Sequence, residues 1–211
     1  MKFKRVLIPE RAIVVAFDMC SSSDILEELI LRQDLAPYRR VISKLKHCLA
    51  EAQESVLFDP YKFTGDGWIL LFPVTTSPAS LWRVITALSS CYQTASASDL
   101  LPRLNTQPAV HGLTFGIDAG PIAKMTIFQQ AEHVGRPIAV ACRLQGAVKQ
   151  VVTNPAYRAL ISGSAFDDHL QGLGLRAVNR TVPLRHIRGG RAFRCKLLRT
   201  IPATGPRRGG I

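Results

Sequence analysis

The chain alternates short apolar runs with segments whose apolar residues recur every three or four positions. Residues 11–18 are apolar, rich in β-branched side chains and closed by a polar turn, which is the pattern of a buried strand. Asp24, with Glu27 three residues on, has the form of a capping box for a helix through Ile25-Leu26-Glu27-Glu28-Leu29-Ile30. That helix is expected to be interrupted near Pro37. A second one is expected from Tyr38 to Ala52, with Val41, Leu45, Cys48 and Leu49 on one face. Residues 55–63 and 67–72 read as two strands joined by Thr64-Gly65-Asp66-Gly67, a hairpin turn of Asp-Gly type. Residues 79–96 suit an amphipathic helix, and Val110 to Ala119 a strand stopped by Gly120-Pro121. A helix is expected over 136–148, with Ile138, Ala141, Cys142 and Val148 inward and Arg143 and Lys149 directed elsewhere. The remainder divides into a strand at 150–153, a short helix at 155–160 and a closing pair near 175–187 and 191–198. Interspersed helices and strands, with a hairpin that demands antiparallel pairing, predict an α+β fold with one mixed sheet in a single domain.

Composition narrows the classes. With 211 residues, 47% of them hydrophobic, the chain has ample material for one packed core. No apolar run approaches the roughly 20 residues that span a bilayer, so no membrane partner is expected. The N-terminal segment has too short an apolar stretch for a secretion signal, and a cytoplasmic location is expected. The five cysteines are odd in number, far apart in sequence and without Cys-x-x-Cys spacing, which argues against a zinc site or a disulfide framework. The net charge of +12 has much of its excess near the C-terminus, at Arg176, Arg180, Arg185, Arg188, Arg191, Arg194, Lys196, Arg199, Arg207 and Arg208. No aromatic residues interleave with a basic stripe as in single-strand binders, so no nucleic-acid partner is expected. Such a charge suits either a solvated basic face or attraction of a nucleoside triphosphate.

The candidate chemistry lies at strand ends. Asp18 closes the first apolar run, and Asp66 sits at the hairpin turn before Trp68-Ile69-Leu70-Leu71-Phe72. Two carboxylates on such rigid platforms repel one another when brought together, unless a hard cation joins them. Magnesium takes a few carboxylate oxygens and fills its other positions with water and substrate phosphate. After Asp18 come Met19-Cys20-Ser21-Ser22-Ser23, small residues leading into a helix start whose free amides can cradle phosphate oxygens. Lys62 stands on the strand and Asp66 at the tip of one hairpin, so the two cannot serve the same point in space.

Two further segments complete the pattern: Phe115-Gly116-Ile117-Asp118-Ala119-Gly120-Pro121, and then Glu132-His133-Val134-Gly135-Arg136-Pro137-Ile138-Ala139-Val140-Ala141-Cys142-Arg143-Leu144. In this order and at these spacings, the four segments resemble the catalytic domain of class III nucleotidyl cyclases. The resemblance covers residues 10–198, with 1–9 as an N-terminal segment and 199–211 as a basic tail expected to be disordered. It implies a ferredoxin-like, palm-related mixed sheet flanked by helices. It also implies that Asp18 and Asp66 hold two Mg2+ or Mn2+ ions, with the Met19 carbonyl on the second. Cys20, Ser21 and Ser22 would form the phosphate loop, Lys62 and Glu132 would read the base, and Arg143 would steady the transition state. Arg185 matches loosely a lysine that contacts the terminal phosphates in relatives. The departure is Ala139, where most relatives carry an asparagine that helps orient the ribose.

The stand-alone domain, the loop Phe17–Ser23 and the missing asparagine look most like the Pycsar pyrimidine cyclases of bacterial anti-phage defence. That likeness implies cyclisation of UTP to cyclic UMP, with a separate effector that senses the product. Cytidylate cyclase and divergent adenylate cyclase activity stay open, since a lysine donor and a glutamate acceptor also suit cytosine and adenine. A cyclase-like module that binds nucleotide without turnover is the reading from another class. The family's sites combine residues of two subunits, so a homodimer with interfacial sites is implied.

Overall fold

The computed structural model describes residues 9–201. At its centre is β1 (Glu10–Met19), almost wholly buried, paired antiparallel with β3 (Gly67–Pro73) on one side and β4 (Leu113–Ile127) on the other. Its alternating side chains serve two cores, as the period of a strand requires. Ile13, Val15, Phe17 and Met19 face a core covered by α1 (Ser22–Leu31), α2 (Ala36–Gln53), α3 (Pro78–Ala95) and α5 (Gly163–His169). Ala12, Val14 and Ala16 face α4 (Arg136–Val151) on the opposite side.

The remaining strands are β2 (Asp59–Phe63), β5 (Gln130–Val134), β6 (Arg158–Ser162), β7 (Val178–Val182) and β8 (Phe193–Arg199). The order across the sheet is β2-β3-β1-β4-β6-β8-β7, with β5 paired to the far end of β4. Among the described residues only β4 and β6 run parallel, so the sheet is mixed and flanked by helices, as expected of the α+β class.

Several boundaries depart from expectation. Ser21 adopts a left-handed conformation (φ 55°) and turns the chain, so α1 begins at Ser22 and Asp24 lies in its first turn instead of capping it. Pro37 opens α2 within its first turn, where a missing N–H costs nothing, and does not interrupt a helix. β4 does not stop at Gly120-Pro121. Among the described residues β6 flanks it only over Thr114–Ile117, and at Gly120-Pro121 β1 is the one paired neighbour, so an edge is open there and proline is tolerated. The expected strand at 150–153 and helix at 155–160 lie about eight residues later, as β6 and α5. Val151 instead closes α4 and packs with Val152 against its core, while Ala159, Leu160 and Ile161 are the buried strand.

At the C-terminal end, Thr200 is buried and accepts a hydrogen bond from Ser89 Oγ at 2.7 Å, so residues 199–201 are seated in the fold. Residues 1–8 and 202–211, including Arg207 and Arg208, lie outside the described residues.

Candidate active site

Two glycines decide how close the functional elements come. In the β1–β3 register Asp18 stands opposite Gly67, and a Cβ at Gly67 would lie 1.8 Å from the Phe17 carbonyl oxygen. Only a residue without a side chain lets the hairpin turn close against the end of β1. Gly65, at φ 108°, turns the chain, and the Thr64 N–H donates to the Gly67 carbonyl at 3.0 Å. Asp66 is thereby held beside Asp18. The Tyr38 hydroxyl of α2 steadies the same turn, donating to the Gly65 carbonyl at 3.3 Å.

The two carboxylates face one cavity of about 480 Å³, lined also by Met19, Cys20, Ser21 and Ser22. The Met19 side chain is buried in the core, so its backbone is what the cavity meets. Ser22 Oγ donates to Asp66 Oδ2. Ile25 N–H donates to the Ser21 carbonyl as the first helical bond, which leaves the amides of Ser22, Ser23 and Asp24 without intrahelical acceptors. The Cys20 N–H is already committed, donating to the Gly112 carbonyl at 2.8 Å, so Cys20 lines the cavity without offering its amide.

Burial first, and then the hydrogen bond and charge of Asp66, push the Asp18 carboxyl up to about 8. Crowding of two carboxylates is relieved either by a proton or by a cation between them. Among the described residues no three His, Cys, Asp or Glu gather into a metal cluster. Two carboxylates and a backbone carbonyl beside free helix amides are nonetheless the donor set suited to magnesium carrying a phosphate. The residues fit such an ion.

Sequence reasoning missed the contribution of α4 to this cavity. Gln145, Gly146 and Lys149 line it. Gln145 donates to Thr114 Oγ1 at 2.7 Å and stands near enough to Asp18 to favour its charged form. Lys149 brings the only cationic side chain among the cavity-lining residues, exposed and off the packed face of the helix as expected. The available signal was the i, i+4 spacing of Gln145 and Lys149 on one helix face. That α4 lies close enough follows from Gly116, where a Cβ would sit 1.9 Å from the Ala141 carbonyl oxygen.

The other expected site residues lie outside this cavity. Lys62 Nζ and Glu132 are 3.1 Å apart, and the Tyr61 hydroxyl also donates to Glu132. Neighbouring strand residues ordinarily point to opposite faces. Here the β2 register shifts between Asp59 and Lys62, a bulge that turns Tyr61 and Lys62 to one partner. The Tyr61 hydrogen bond, then Lys62, hold the Glu132 carboxyl below the usual range, and Glu132 raises the Lys62 ammonium. Arg143 is exposed on α4, one turn from exposed Ala139, and does not line the aspartate cavity. Arg185 is exposed in the connection between β7 and β8, in a separate concavity.

Solved structures with this architecture carry the comparison further. The adenylyl cyclase CyaB from P. aeruginosa superposes with a TM-score of 0.68 at 14% identity, over 91% of this chain and 96% of that one. The guanylyl cyclase Cya2 gives 0.62 at 16%, over 92% of each chain. The chain has the class III nucleotidyl cyclase fold. A bacterial light-regulated adenylyl cyclase matches with a TM-score of 0.67 at 14% identity, over 93% of this chain. The cyclase-fold domain described here spans 54% of that longer enzyme's chain. No protein-family model matches the sequence, and no curated protein does. Among the described residues, no helix is long and apolar enough to cross a membrane.

Proposed function

We propose that this protein cyclises a nucleoside triphosphate to its 3′,5′-cyclic nucleotide and pyrophosphate, with UTP as preferred substrate and cyclic UMP as product. The observation that carries the reading is the convergence of Asp18 and Asp66 beside free helix amides in one cavity. The ribose 3′-oxygen attacks the α-phosphorus, the bond from that phosphorus to the bridging oxygen breaks, and the hydroxyl proton leaves to solvent. Asp18, Asp66 and the Met19 carbonyl would hold two Mg2+ or Mn2+ ions, which supply charge neutralisation at the attacking and leaving oxygens. The amides of Ser22, Ser23 and Asp24 receive phosphate oxygens, and Lys149 offsets the charge of the pyrophosphate end. Arg143 neutralises charge that develops on the α-phosphate.

Lys62 and Glu132 read the base. Uracil fits by accepting from Lys62 at O4 and donating from N3–H to Glu132. The preference for a pyrimidine is supported by the likeness of the Phe17–Ser23 loop and of Ala139 to pyrimidine cyclases. A second reading is adenine, which offers N1 and its amine to the same pair; solved structures of this fold include adenylyl cyclases. CTP is accommodated by the same donor and acceptor. The product would serve as a second messenger for a separate effector in anti-phage defence.

Because Lys62, Glu132 and Arg143 lie outside the aspartate cavity, a complete site draws them from a second copy. The tip of the β4–β5 hairpin supports association, since Phe128 is 96% exposed there, flanked by exposed Ile127.

The decisive experiment incubates the purified protein with manganese and each of four nucleoside triphosphates and resolves the products chromatographically. Cyclic UMP is expected to dominate. A dominant cyclic CMP or cyclic AMP reassigns the base, and the absence of any cyclic product leaves a nucleotide-binding module without turnover. Asp66→Ala is expected to abolish turnover while keeping the melting transition. Retained activity in that variant refutes the metal assignment.

A further inference from the structure

Two cysteines 43 positions apart in sequence meet on the side of the sheet away from α4. Cys48 lies on α2 and Cys91 on α3, and both are half-buried, so small solutes reach them. The Cys91 sulfur is 3.5 Å from the Lys44 carbonyl oxygen. In an α-helix that carbonyl receives the N–H of residue 48. Helical side chains lean toward the helix N-terminus, so the Cys48 thiol is carried back over the same turn. This sets the Cys48 thiol beside Cys91, and each is the leading influence on how the other titrates.

The surroundings differentiate the pair. Lys44 reaches Asp99 at 2.7 Å, and Arg40 is 3.5 Å from the same carboxylate, while Glu51 stands further along α2. The Cys48 contact and the Lys44 charge favour a Cys91 thiolate, whereas burial and Glu51 oppose it; the balance draws Cys91 down to about 7. The same contact pushes Cys48 up. Burial pushes Cys20 and Cys195 up to about 11 and raises Cys142. A reactive thiol is one that is both ionised and reachable, and among these five only Cys91 has that combination with a second thiol beside it.

We propose that Cys91 and Cys48 form a peroxide-reactive dithiol, with Cys91 the attacking sulfur and Cys48 the resolving one, which closes to a disulfide joining α2 to α3. The co-reactant is a hydroperoxide. The Cys91 thiolate attacks one peroxide oxygen, the O–O bond breaks, and the departing hydroxide takes a proton to become water. The sulfenic acid left on Cys91 is then attacked by the Cys48 sulfur. The S–O bond breaks, the hydroxyl leaves with the Cys48 proton as a second water, and the S–S bond forms. With hydrogen peroxide, one peroxide is reduced to two waters while two thiols are oxidised to one disulfide.

The test uses the full chain, free of metal, treated with one equivalent of hydrogen peroxide, alkylated and mapped by peptide mass spectrometry. A Cys48–Cys91 disulfide is expected, with Cys20, Cys142 and Cys195 recovered as alkylated thiols. In Cys48→Ser a sulfenic acid should accumulate on Cys91, trapped by a cyclic 1,3-dicarbonyl probe. In Cys91→Ser, Cys48 oxidation should slow by at least about tenfold, because its thiolate fraction is small at neutral pH. Circular dichroism melting confirms that both variants fold. Oxidation spread evenly over the five cysteines overturns the proposal, as does a wild-type chain in which other cysteines react while Cys48 and Cys91 stay free. The wild-type map alone decides between these outcomes.

Discussion

Asp18 has its carboxyl half-buried against Asp66, and that crowding makes it report on pH and metal together. Its folded-state value, about 8, lies above the roughly 3.9 of an unfolded aspartate. A group raised on folding contributes stability that is fully present below its unfolded value and is lost as pH climbs through its folded one. The metal-free protein should therefore melt progressively lower as pH rises from about 4 to about 8. Asp18→Asn cannot ionise, so its melting temperature should vary less over that window. Manganese should raise the melting temperature of the wild type more at the alkaline end, because the ion competes with a proton at the acid end. Thermal melts in chelator and in manganese, run across the window, check both statements. An equal metal response in Asp18→Asn would count against the carboxylate pair as the ion site. Lys149 bears on the other end of the substrate. Its removal as Lys149→Ala should lower kcat/KM about ten- to a hundredfold, mainly through KM, as loss of a charge-assisted phosphate contact does. Steady-state kinetics with an unchanged KM would place Lys149 outside the binding step.

The β1 strand and the β2–β3 hairpin were legible through the apolar runs Ala12–Phe17 and Trp68–Phe72, and α4 through its helical period. Of the inward residues expected for α4, Ala141 and Val148 are buried and Ile138 and Cys142 are partly buried, while Val140 and Leu144 complete the buried face without having been named. What escaped depends on contacts between elements. Nothing local to Gln145 or Lys149 says that α4 passes beside the end of β1. That follows from Gly116, which admits the Ala141 backbone, and from Ala12 and Ala16 beneath the same helix. The Tyr61–Lys62–Glu132 cluster depends on a bulge that a strand's simple alternation hides. The Val151-Val152-Thr153 run reads as strand by propensity, yet packing on the α4 side claims its first two residues. Helix α4 is fastened at its start as well. Asp118, 1% exposed, accepts from Ser162 and faces Arg136 at 3.7 Å, which ties the first turn of α4 to β4 and β6. At this scale we expect Gly116→Ala to be damaging. Its new Cβ, 1.9 Å from a backbone oxygen, forces the helix outward at a cost of about 1–3 kcal/mol or more. Denaturant unfolding should show that loss. Activity should fall further than stability explains, because both Gln145 and Arg143 move with the helix. A variant as stable and active as wild type would mean that α4 is free to reposition.

Across the whole molecule, the residues expected to act together fall into two sets that one copy keeps apart. Asp18, Asp66 and the start of α1 line one cavity, while Arg143 and the Lys62–Glu132 pair stand on surfaces outside it. In this copy the β2–β3 hairpin, whose turn Gly67 seats against β1, keeps Asp66 at the cavity and the Lys62–Glu132 pair outside it. A second copy, related by a two-fold axis, would bring the aspartate cavity of each chain to the Arg143 face of the other, and it would do so twice. Complementation tests this directly. Asp66→Ala leaves the Arg143 face intact, and Arg143→Ala leaves the aspartate cavity intact, so each alone should be inactive at both sites. In a mixed dimer one site combines two damaged halves and the other combines two intact halves. Equal mixing with random exchange makes about half the dimers mixed, each with one complete site of two, and so restores about a quarter of wild-type activity. Tagged chains purified in tandem should give about half of wild-type activity per dimer. Silence in such verified mixed dimers would mean that each chain assembles its own site, and the two sets of residues would then need a rearrangement within one copy to meet.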